Sequence, residues 1–317
     1  MASSKIDREP SVAVLLPIHN GQKFVNQAVQ TVVNQDYKNI HLIAIDDSST
    51  DNTPNILKQL ASTQTKQMTI LQCSARNQAK ALNIGLSKVA EDFVALLDVD
   101  DLWAPDKISR QIEASLEKAH SGLIVTDFAV GEDPLKPWVS AWDSMGYEHV
   151  SEGMVFENLL MENFVLRSSA LIPTRIIREL RGFDEEISGT DDRDLWLRIA
   201  EKHPIYCVRK VCCFKRAHMG AMSLSEKSRF SRIKMWTKWI RKLEKQKSKY
   251  IPIAQNNLSI FAYSYAYSLY INRKSFLKAS YYFFLCLRRG HRPLRTSALA
   301  AVSFLKWLIG AISFART

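Results

Sequence analysis

The sequence predicts an α/β fold, a mainly parallel sheet flanked by helices, followed by a separate helical region. The first 130 residues alternate short apolar runs with amphipathic stretches, which is the pattern of strands joined by right-handed helical crossovers. The charge then changes sign along the chain. Residues 1–220 hold 24 Lys and Arg against 30 Asp and Glu, whereas residues 221–317 hold 19 against 2. A length of 317 residues allows two unequal domains, which we place at residues 1–223 and 224–317.

Hydrophobic periodicity predicts each element of the first domain. Apolar runs between polar segments fit strands that are buried on both faces of a sheet. Apolar residues repeated every three or four positions, as between residues 24 and 33, fit helices with one buried face. The predicted order is strand 12–16, helix 24–35, strand 40–45, a helix beginning at Thr53-Pro54, strand 68–72, helix 79–88, strand 93–97, helix 105–119 and strand 123–126.

The later segments are less regular. Residues 131–165 are rich in aromatic side chains, and we interpret them either as a platform or lid for an acceptor or as a plug over the sheet edge. Helical periodicity returns at residues 192–202. Beyond residue 225, apolar and basic residues predict an amphipathic bundle lying on a bilayer, with a soluble helical cap on the first domain as the alternative. Lys306 within the apolar residues 297–314 disfavours a spanning helix.

An acidic cluster directly follows the fourth predicted strand. Asp98, Asp100 and Asp101 lie where the carboxyl ends of parallel strands form a ligand crevice. Three carboxylates at one place repel one another, so they need a cation or hydroxyl partners. Mg²⁺ and Mn²⁺ are commonly held by one or two carboxylates together with substrate phosphates. The cluster therefore predicts a site for a metal-bound diphosphate, and the alternative is a cap for the helix that begins near Pro105.

Four motifs in order resemble those of a known enzyme family. They are Val14-Leu15-Leu16-Pro17-Ile18-His19-Asn20, Ala44-Ile45-Asp46-Asp47-Ser48-Ser49-Thr50-Asp51, the acidic cluster Asp98-Val99-Asp100-Asp101, and Gly182-Phe183-Asp184 before Asp191-Asp192-Arg193-Asp194. This pattern over about residues 10–223 resembles the family 2 glycosyltransferases of GT-A fold. The resemblance implies inverting transfer of a sugar from a nucleotide donor, most often a UDP-sugar.

The resemblance also implies roles for individual residues. Pro17, Ile18 and Asn20 would line the nucleotide pocket, and Asp47 would accept a hydrogen bond from uracil N3–H. Asp98 would hold the ribose, Asp100 would lie at the nucleotide diphosphate, and Asp100 and Asp101 would face a divalent metal, Mn²⁺ or Mg²⁺. Lys80 would add a cation near the nucleotide, although a solvated helix face explains it equally well. Arg216 and His218 resemble an Arg-x-His element near the diphosphate.

Inversion in one displacement requires a base that takes the proton of the acceptor hydroxyl. The resemblance places it in the Asp191-Asp192 pair, and we choose Asp192. The first position of this pair is Asp where Glu is commoner in the family. Another departure is the segment Cys73-Ser74-Ala75-Arg76-Asn77, where many relatives have a Gly-rich turn, so donor-sugar contacts there are not carried over. Acidic residues at 191, 192 and 194 also stabilise a helix N-terminus, which is the alternative explanation.

We therefore expect a glycosyltransferase that builds a polysaccharide or glycolipid from a nucleotide-sugar donor and a carbohydrate or lipid-linked acceptor. The alternative is a non-catalytic nucleotide-sugar-binding relative acting in a glycan-assembly complex. The basic region predicts an anionic membrane surface as a partner, in preference to nucleic acid. The first ten residues are polar, and the five cysteines lack paired metal-ligand spacing. We expect a cytoplasmic protein, peripheral at the inner face of the membrane.

Overall fold

A mixed sheet of eight strands lies at the centre of the first of two units into which the chain divides, Met1–Met219 and Gly220–Thr317. The computed structural model describes residues 9–63, 67–118, 120–218, 225–272, 275–287 and 299–306. The predicted boundary between residues 223 and 224 lies outside the described residues and stays a prediction.

The first unit alternates strands and helices through its first half, as the hydrophobic pattern predicts. Its strands and helices are β1 Val12–Ile18, α1 Val25–Val33, β2 Ile40–Asp47, α2 Thr53–Thr63, β3 Gln67–Cys73, α3 Gln78–Leu86, β4 Phe93–Leu96, β5 Leu102–Trp103, α4 Lys107–Glu117, β6 Leu123–Gly131, α5 Ala141–Ser144, α6 Phe156–Met161, β7 Ala170–Pro173, α7 Thr174–Glu179, α8 Asp191–Ala200 and β8 Ile205–Arg216. Two short 3-10 turns, Arg167–Ser169 and Glu185–Ile187, precede β7 and α8.

The strand order is β3-β2-β1-β4-β7-β6-β8-β5. The neighbours β3/β2, β2/β1, β1/β4 and β6/β8 are parallel, whereas β7 is antiparallel to both β4 and β6, and β5 is antiparallel to β8. Every residue of β1 is buried, which explains why its sequence is continuously apolar. The carboxyl ends of β1, β2 and β4 therefore share one edge of the sheet.

The second unit is helical in its described part. It contains α9 Glu226–Lys245, α10 Ile251–Ile271 and α11 Phe276–Leu287, and residues 299–306 are also helical. Buried Trp236, Trp239 and Leu243 lie on one side of α9, and Tyr265 of α10 contacts rings on both α9 and α11. Within the described residues, no helix combines the length and hydropathy that crossing a membrane requires. Most of the predicted apolar segment 297–314 lies outside the described residues.

Candidate active site

The loops after β1 and β2 are joined to each other at the carboxyl edge of the sheet. The Asn20 side chain accepts a hydrogen bond from the backbone N–H of Thr50 at 2.7 Å, and the backbone N–H of Asn20 donates to the Ser49 hydroxyl at 2.9 Å. Asn20 has a φ of 53°, a left-handed conformation in which Asn is enriched. The loop with Asn20, which directly follows Pro17 and Ile18 at the end of β1, thus forms one rim with the β2 loop. The contact of these three residues with nucleotide stays a prediction.

Asp47, at the end of β2, organises the segment before α3. Its carboxylate accepts backbone N–H groups of Arg76 at 2.8 Å and Asn77 at 3.1 Å. Arg76 has a φ of 48°, so the carboxylate stabilises a turn that replaces a Gly-rich one. Each carboxylate oxygen can accept more than one hydrogen bond, so these contacts leave acceptor capacity for a base edge. Lys80 is exposed on α3, and its role as a cation near the nucleotide stays a prediction.

The acidic cluster after β4 has three differently placed carboxylates. Asp98 accepts hydrogen bonds from Gln78 at 3.1 Å and Arg167 at 3.2 Å, both on Oδ1. Burial raises the pKa of Asp98, Arg167 opposes the rise, and Asp100 adds to it. The other oxygen of Asp98 makes no hydrogen bond to the described residues, so it is available to a ligand. The side chain is one-quarter exposed.

Asp101 is buried and fully engaged by the protein. Oδ2 accepts the Ser168 hydroxyl at 2.5 Å, and Oδ1 accepts the backbone N–H of Arg216 at 3.3 Å. Burial and the carboxylates of Asp98 and Asp100 raise its pKa well above the usual range. Only 2% of Asp101 is exposed, and its contact with the Arg216 backbone holds the end of β8 in place. The roles of Asp100 and Asp101 at a metal stay predictions.

Asp100 and His218 face each other at the same edge. Asp100 Oδ2 lies 2.8 Å from His218 Nε2, and both side chains are 26% exposed. His218 packs against the ring of Phe24, and the Arg216 guanidinium lies 5.2 Å from the same ring. Arg216 also donates to Gln27 of α1 at 2.8 Å. The Arg-x-His element is therefore brought to the acidic cluster as the resemblance implies.

Arg167 connects the acidic cluster to the candidate base pair. Its guanidinium lies 3.2 Å from Asp98, 3.2 Å from Asp191 and 3.8 Å from Asp192. Burial alone would lower the pKa of Arg167, but these three carboxylates raise it above its ordinary value. Asp98 and the Asp191-Asp192 pair are far apart in sequence, and they surround this one cation.

Asp191 and Asp192, at the start of α8, differ in exposure. Asp191 is fully buried and accepts the backbone N–H of Gly189 at 2.7 Å in addition to Arg167. Burial raises its pKa to about 6, and Arg167 opposes the rise. The Asp192 side chain is 22% exposed and accepts the backbone N–H of Arg193. Only Asp192 of this pair is accessible to a substrate, which is consistent with its choice as base.

Sequence reasoning missed Arg167 and Ser168. The backbone N–H of Asp98 donates to the Ser168 hydroxyl at 3.1 Å, and Trp103 Nε1 donates to the Ser168 carbonyl at 2.7 Å. Their 3-10 turn lies between irregular segments, so no periodicity marks it. The available signal was the position of Arg167 between the apolar pairs Val165-Leu166 and Ala170-Leu171. A charged side chain in such a segment requires buried partners.

The residues present suit a divalent ion only in combination with substrate oxygens. Within the part of the chain that the structure describes, no group of three or more His, Cys, Asp or Glu side chains is arranged to hold a metal. Asp100 and His218 supply one carboxylate oxygen and one imidazole nitrogen side by side. Mg²⁺ and Mn²⁺ are commonly held by one or two carboxylates, with phosphates completing the coordination.

The fold and the site define a class of protein, the nucleotide-sugar transferases of GT-A fold. The model of the family described as "Glycosyl transferase family 2" matches residues 13–166. The putative glycosyltransferase EpsE of Bacillus subtilis is 30% identical over 201 residues, which cover 61% of this chain and 68% of EpsE. The chain belongs to glycosyltransferase family 2, and the expectation of a glycosyltransferase is confirmed.

Another relative is an uncharacterized glycosyltransferase of Haemophilus influenzae, 33% identical over 108 residues. The match covers 34% of this chain and 43% of that relative, so the chain spans less than half of its length. These matches show the family and leave the acceptor and the product open.

Two solved structures share the fold. TarS 1-349 of S. aureus in complex with UDP-GlcNAc has a TM-score of 0.62 at 15% identity, covering 91% of this chain and 83% of that one. The mannosyltransferase PcManGT of Pyrobaculum calidifontis in complex with GDP-Man and Mn²⁺ has a TM-score of 0.61 at 18% identity, covering 95% and 88%. The predicted GT-A fold is confirmed.

Proposed function

We propose that this protein transfers a sugar from a UDP-sugar to an acceptor hydroxyl in polysaccharide or glycolipid biosynthesis, with inversion at the anomeric carbon. The observation that carries the proposal is the contact of Arg167 with Asp98 on one side and with the Asp191-Asp192 pair on the other. Through these contacts, the Arg167 side chain connects the predicted donor site with the predicted base. Family membership supports the same reaction class.

The donor is held at the edge formed by the β1, β2 and β4 loops. Asp98 retains one carboxylate oxygen for the ribose hydroxyls, and Asp47 retains acceptor capacity for uracil N3–H. An acceptor at this place favours uracil because cytosine presents an acceptor of its own there. The UDP-GlcNAc named with the S. aureus structure supports a UDP-sugar.

Asp100 and His218 would hold the divalent ion, Mn²⁺ or Mg²⁺, on the donor diphosphate. Such an ion supplies Lewis-acid stabilisation of the charge that develops on a departing nucleoside diphosphate. Arg216 Nε donates a hydrogen bond to the backbone carbonyl of Asp100 at 3.3 Å. Its guanidinium adds a fixed positive charge for phosphate oxygens. The Mn²⁺ named with PcManGT supports this assignment.

Asp192 accepts the proton of the acceptor hydroxyl as the new glycosidic bond forms. It is accessible, whereas Asp191 is buried against Arg167 and Gly189. The neighbouring Arg167 guanidinium lies 3.2 Å from Asp191 and 3.8 Å from Asp192, so it fixes the position of the pair. A positioned general base contributes about 10²–10⁴-fold to a rate.

The test is Asp192→Asn in the full-length protein with Mn²⁺ and a panel of UDP-sugars. We expect donor turnover to fall about 10²–10⁴-fold while UDP binding by calorimetry is unchanged. Asp133→Asn, a change of the same type on an exposed loop, serves as control and should leave both measurements unaltered. Equal turnover in both variants would show that the protein binds nucleotide-sugars without using Asp192 for catalysis.

The partner of the second unit is an anionic membrane surface at the cytoplasmic face. Five exposed cations of α9 recur at helical spacing, namely Lys227, Lys234, Lys238, Arg241 and Lys245. We call these five residues the basic stripe. A stripe of this kind attracts anionic headgroups, and exposed apolar side chains on α10 and α11 add contacts with lipid.

A further inference from the structure

A second concave site lies on β6 and β8, apart from the carboxylate network. It is a cavity of about 510 Å³ whose lining includes Trp138 and Asp143 from the segment after β6 and Arg209 and Lys210 from β8. Asp127 also lines it and lies four residues before Gly131, which pairs with Arg216. A strand rises about 3.3 Å per residue, so the cavity is roughly 13 Å along the strands from the Arg216 backbone.

A bulge in β8 places two cations at this cavity. The pairing of β6 with β8 steps from Thr126↔Val208 to Asp127↔Val211, which leaves Arg209 and Lys210 out of register. Bulges redirect side chains and increase local twist. Both cations are exposed, and neither makes an ion pair with the other residues that the structure describes. Two adjacent exposed cations at a cavity can bind the carboxylate or phosphate of a ligand.

Two carboxylates line the cavity, Asp127 and Asp143, and neither makes an ion pair with Arg209 or Lys210 among the described residues. Asp127 is 5% exposed, and its oxygens accept the Ser140 hydroxyl and the backbone N–H of Phe128 at 2.7 Å. It also accepts the backbone N–H of Trp142 at 3.3 Å. Its charge is therefore used to hold the segment after β6 against the sheet, which makes that wall of the cavity rigid.

The remaining lining suits a sugar ring. Trp138 is fixed by contact with Phe214, ring centroids 5.5 Å apart, and by its indole N–H, which donates to the Pro134 carbonyl at 3.1 Å. Asp143 is exposed at the start of α5 and can accept hydrogen bonds from hydroxyl groups. An apolar aromatic surface with a few polar groups around it is the usual composition of a small-molecule site.

We propose that this cavity binds an anionic saccharide unit of the glycan that the enzyme extends. The carboxylate or phosphate of that unit lies on Arg209 and Lys210, its ring lies against Trp138, and its hydroxyls reach Asp143. The proposal rests on the proposed function, because it gives the acceptor of that reaction a second point of contact. On this proposal residues 131–165 form an acceptor platform, which is one of the two interpretations that the sequence allows.

The test measures binding of three oligosaccharides to the full-length protein by calorimetry. The probes are a galacturonic acid hexamer, a phosphorylated maltohexaose and neutral maltohexaose. We expect one of the anionic hexamers to bind more tightly than neutral maltohexaose and to lose about tenfold or more in affinity in Arg209→Ala/Lys210→Ala, the loss that follows removal of a charge-assisted hydrogen bond. The preferred hexamer tells a carboxylate from a phosphate.

Lys58→Ala/Lys88→Ala is the matched control, because it removes two exposed cations from α2 and the segment after α3. It should retain the affinity of the unmodified protein. Equal losses in both double variants, or equal binding of maltohexaose and the anionic hexamers, would overturn the site. Hydrolysis of UDP-sugar without acceptor is measured on the same samples. Normal hydrolysis without any oligosaccharide binding refutes only the second site, whereas absent hydrolysis bears on the proposed function.

Discussion

Arg167 is the residue on which the geometry of the candidate site depends. It is 6% exposed and lies within 4 Å of Asp98, Asp191 and Asp192, so its charge is largely removed from water. Its Nε has no hydrogen-bond partner in the described part of the chain. Such an arrangement adds little net stability over an apolar replacement of the whole cluster, but it fixes where three carboxylates lie.

Arg167→Met is expected to destabilise the protein by about 3–5 kcal/mol, because it leaves buried Asp191 without its counter-charge. The measurement is urea unfolding at neutral pH. Arg110→Met is the control: Arg110 pairs with Asp106 at 2.6 Å, but both are well exposed, so the loss should stay below about 1 kcal/mol. Similar losses in the two variants would mean that Arg167 is solvated and not a buried link.

Asp191→Asn should change how stability depends on pH. Burial raises the pKa of Asp191 from an ordinary 3.8 to about 6, so the folded chain holds this proton more tightly than the unfolded chain. The stability that results is complete below about pH 4 and is lost as the pH rises through 6. We expect the unmodified protein to lose about 3 kcal/mol relative to Asp191→Asn between pH 4 and 7.

The measurement is urea unfolding at several pH values in that range. Asp133→Asn, on an exposed loop, should follow the unmodified protein throughout. A constant difference between Asp191→Asn and the unmodified protein would show that the Asp191 pKa is the same in the folded and unfolded chains.

At the scale of elements, the sequence predicts β1, β2, β3, β4 and β6 and misses β5, β7 and β8. β1 and β4 are apolar throughout, and β2 is apolar apart from His41 and the two Asp residues at its end, so their positions agree with the prediction to within two residues. β5 has two residues, and β8 contains Arg209 and Lys210 at its bulge, so neither shows a strand period. β7 has four residues next to an irregular turn, and no local signal gives its antiparallel direction.

The sequence also predicts only part of the candidate site. Carboxylates directly after predicted strands could be placed at one edge because parallel strands end together. Asp191 and Asp192 could be placed only by family resemblance, since their approach to Asp98 depends on the chain folding back through β7. The difference in burial between Asp100 and Asp101 needed the structure, because it arises where Asp101 contacts Ser168.

The turn Gly182-Phe183-Asp184 has a structural reason, which is its attachment to α3. Asn83 accepts the backbone N–H of Phe183 at 2.9 Å and donates to its carbonyl at 2.9 Å. Gly182 has a φ of 68°, and a Cβ there would lie 2.4 Å from Asn83 Oδ1. The motif therefore links α3 to the segment that leads into α8.

Gly182→Ala is expected to lower stability by about 2–4 kcal/mol, because it combines a left-handed backbone with displacement of the Asn83 amide. Gly146→Ala is the control, because the φ of Gly146 is also 68° but nothing lies within 4 Å of the added Cβ. It should lower stability by about 1–2 kcal/mol, the effect of the left-handed backbone alone. Thermal unfolding of both variants gives the difference. Equal losses would mean that the Asn83 contact contributes nothing measurable.

At the scale of the whole molecule, the chain separates its chemistry between two units. The first unit carries the carboxylates of the candidate site, and residues 221–317 carry 19 Lys and Arg against 2 Asp and Glu. On α10, Ile260, Tyr267 and Ile271 are exposed at helical spacing, as are Leu277, Tyr281 and Phe284 on α11. The proposed contact of this unit with lipid rests on these exposed apolar residues together with the basic stripe.

The basic stripe of α9 gives the membrane proposal a quantitative test. Each Lys or Arg near an anionic bilayer contributes about 1 kcal/mol, so Lys234→Ala/Arg241→Ala/Lys245→Ala should weaken binding about 100-fold. The measurement is sedimentation of the full-length protein with vesicles of phosphatidylcholine and phosphatidylserine, whose surface is negative. Binding should also weaken as salt rises from roughly 0.05 to 0.5 M, because the Debye length shortens.

The matched control is Lys58→Ala/Lys88→Ala/Lys136→Ala, which removes three exposed cations from the first unit and should bind as the unmodified protein does. Vesicles of phosphatidylcholine alone separate the apolar contribution from the electrostatic one. If the two triple variants lost affinity equally, net charge and not the basic stripe would explain binding. If the unmodified protein failed to sediment with anionic vesicles at low salt, the exposed apolar residues of α10 and α11 would have to be covered by protein, and the membrane proposal would be wrong.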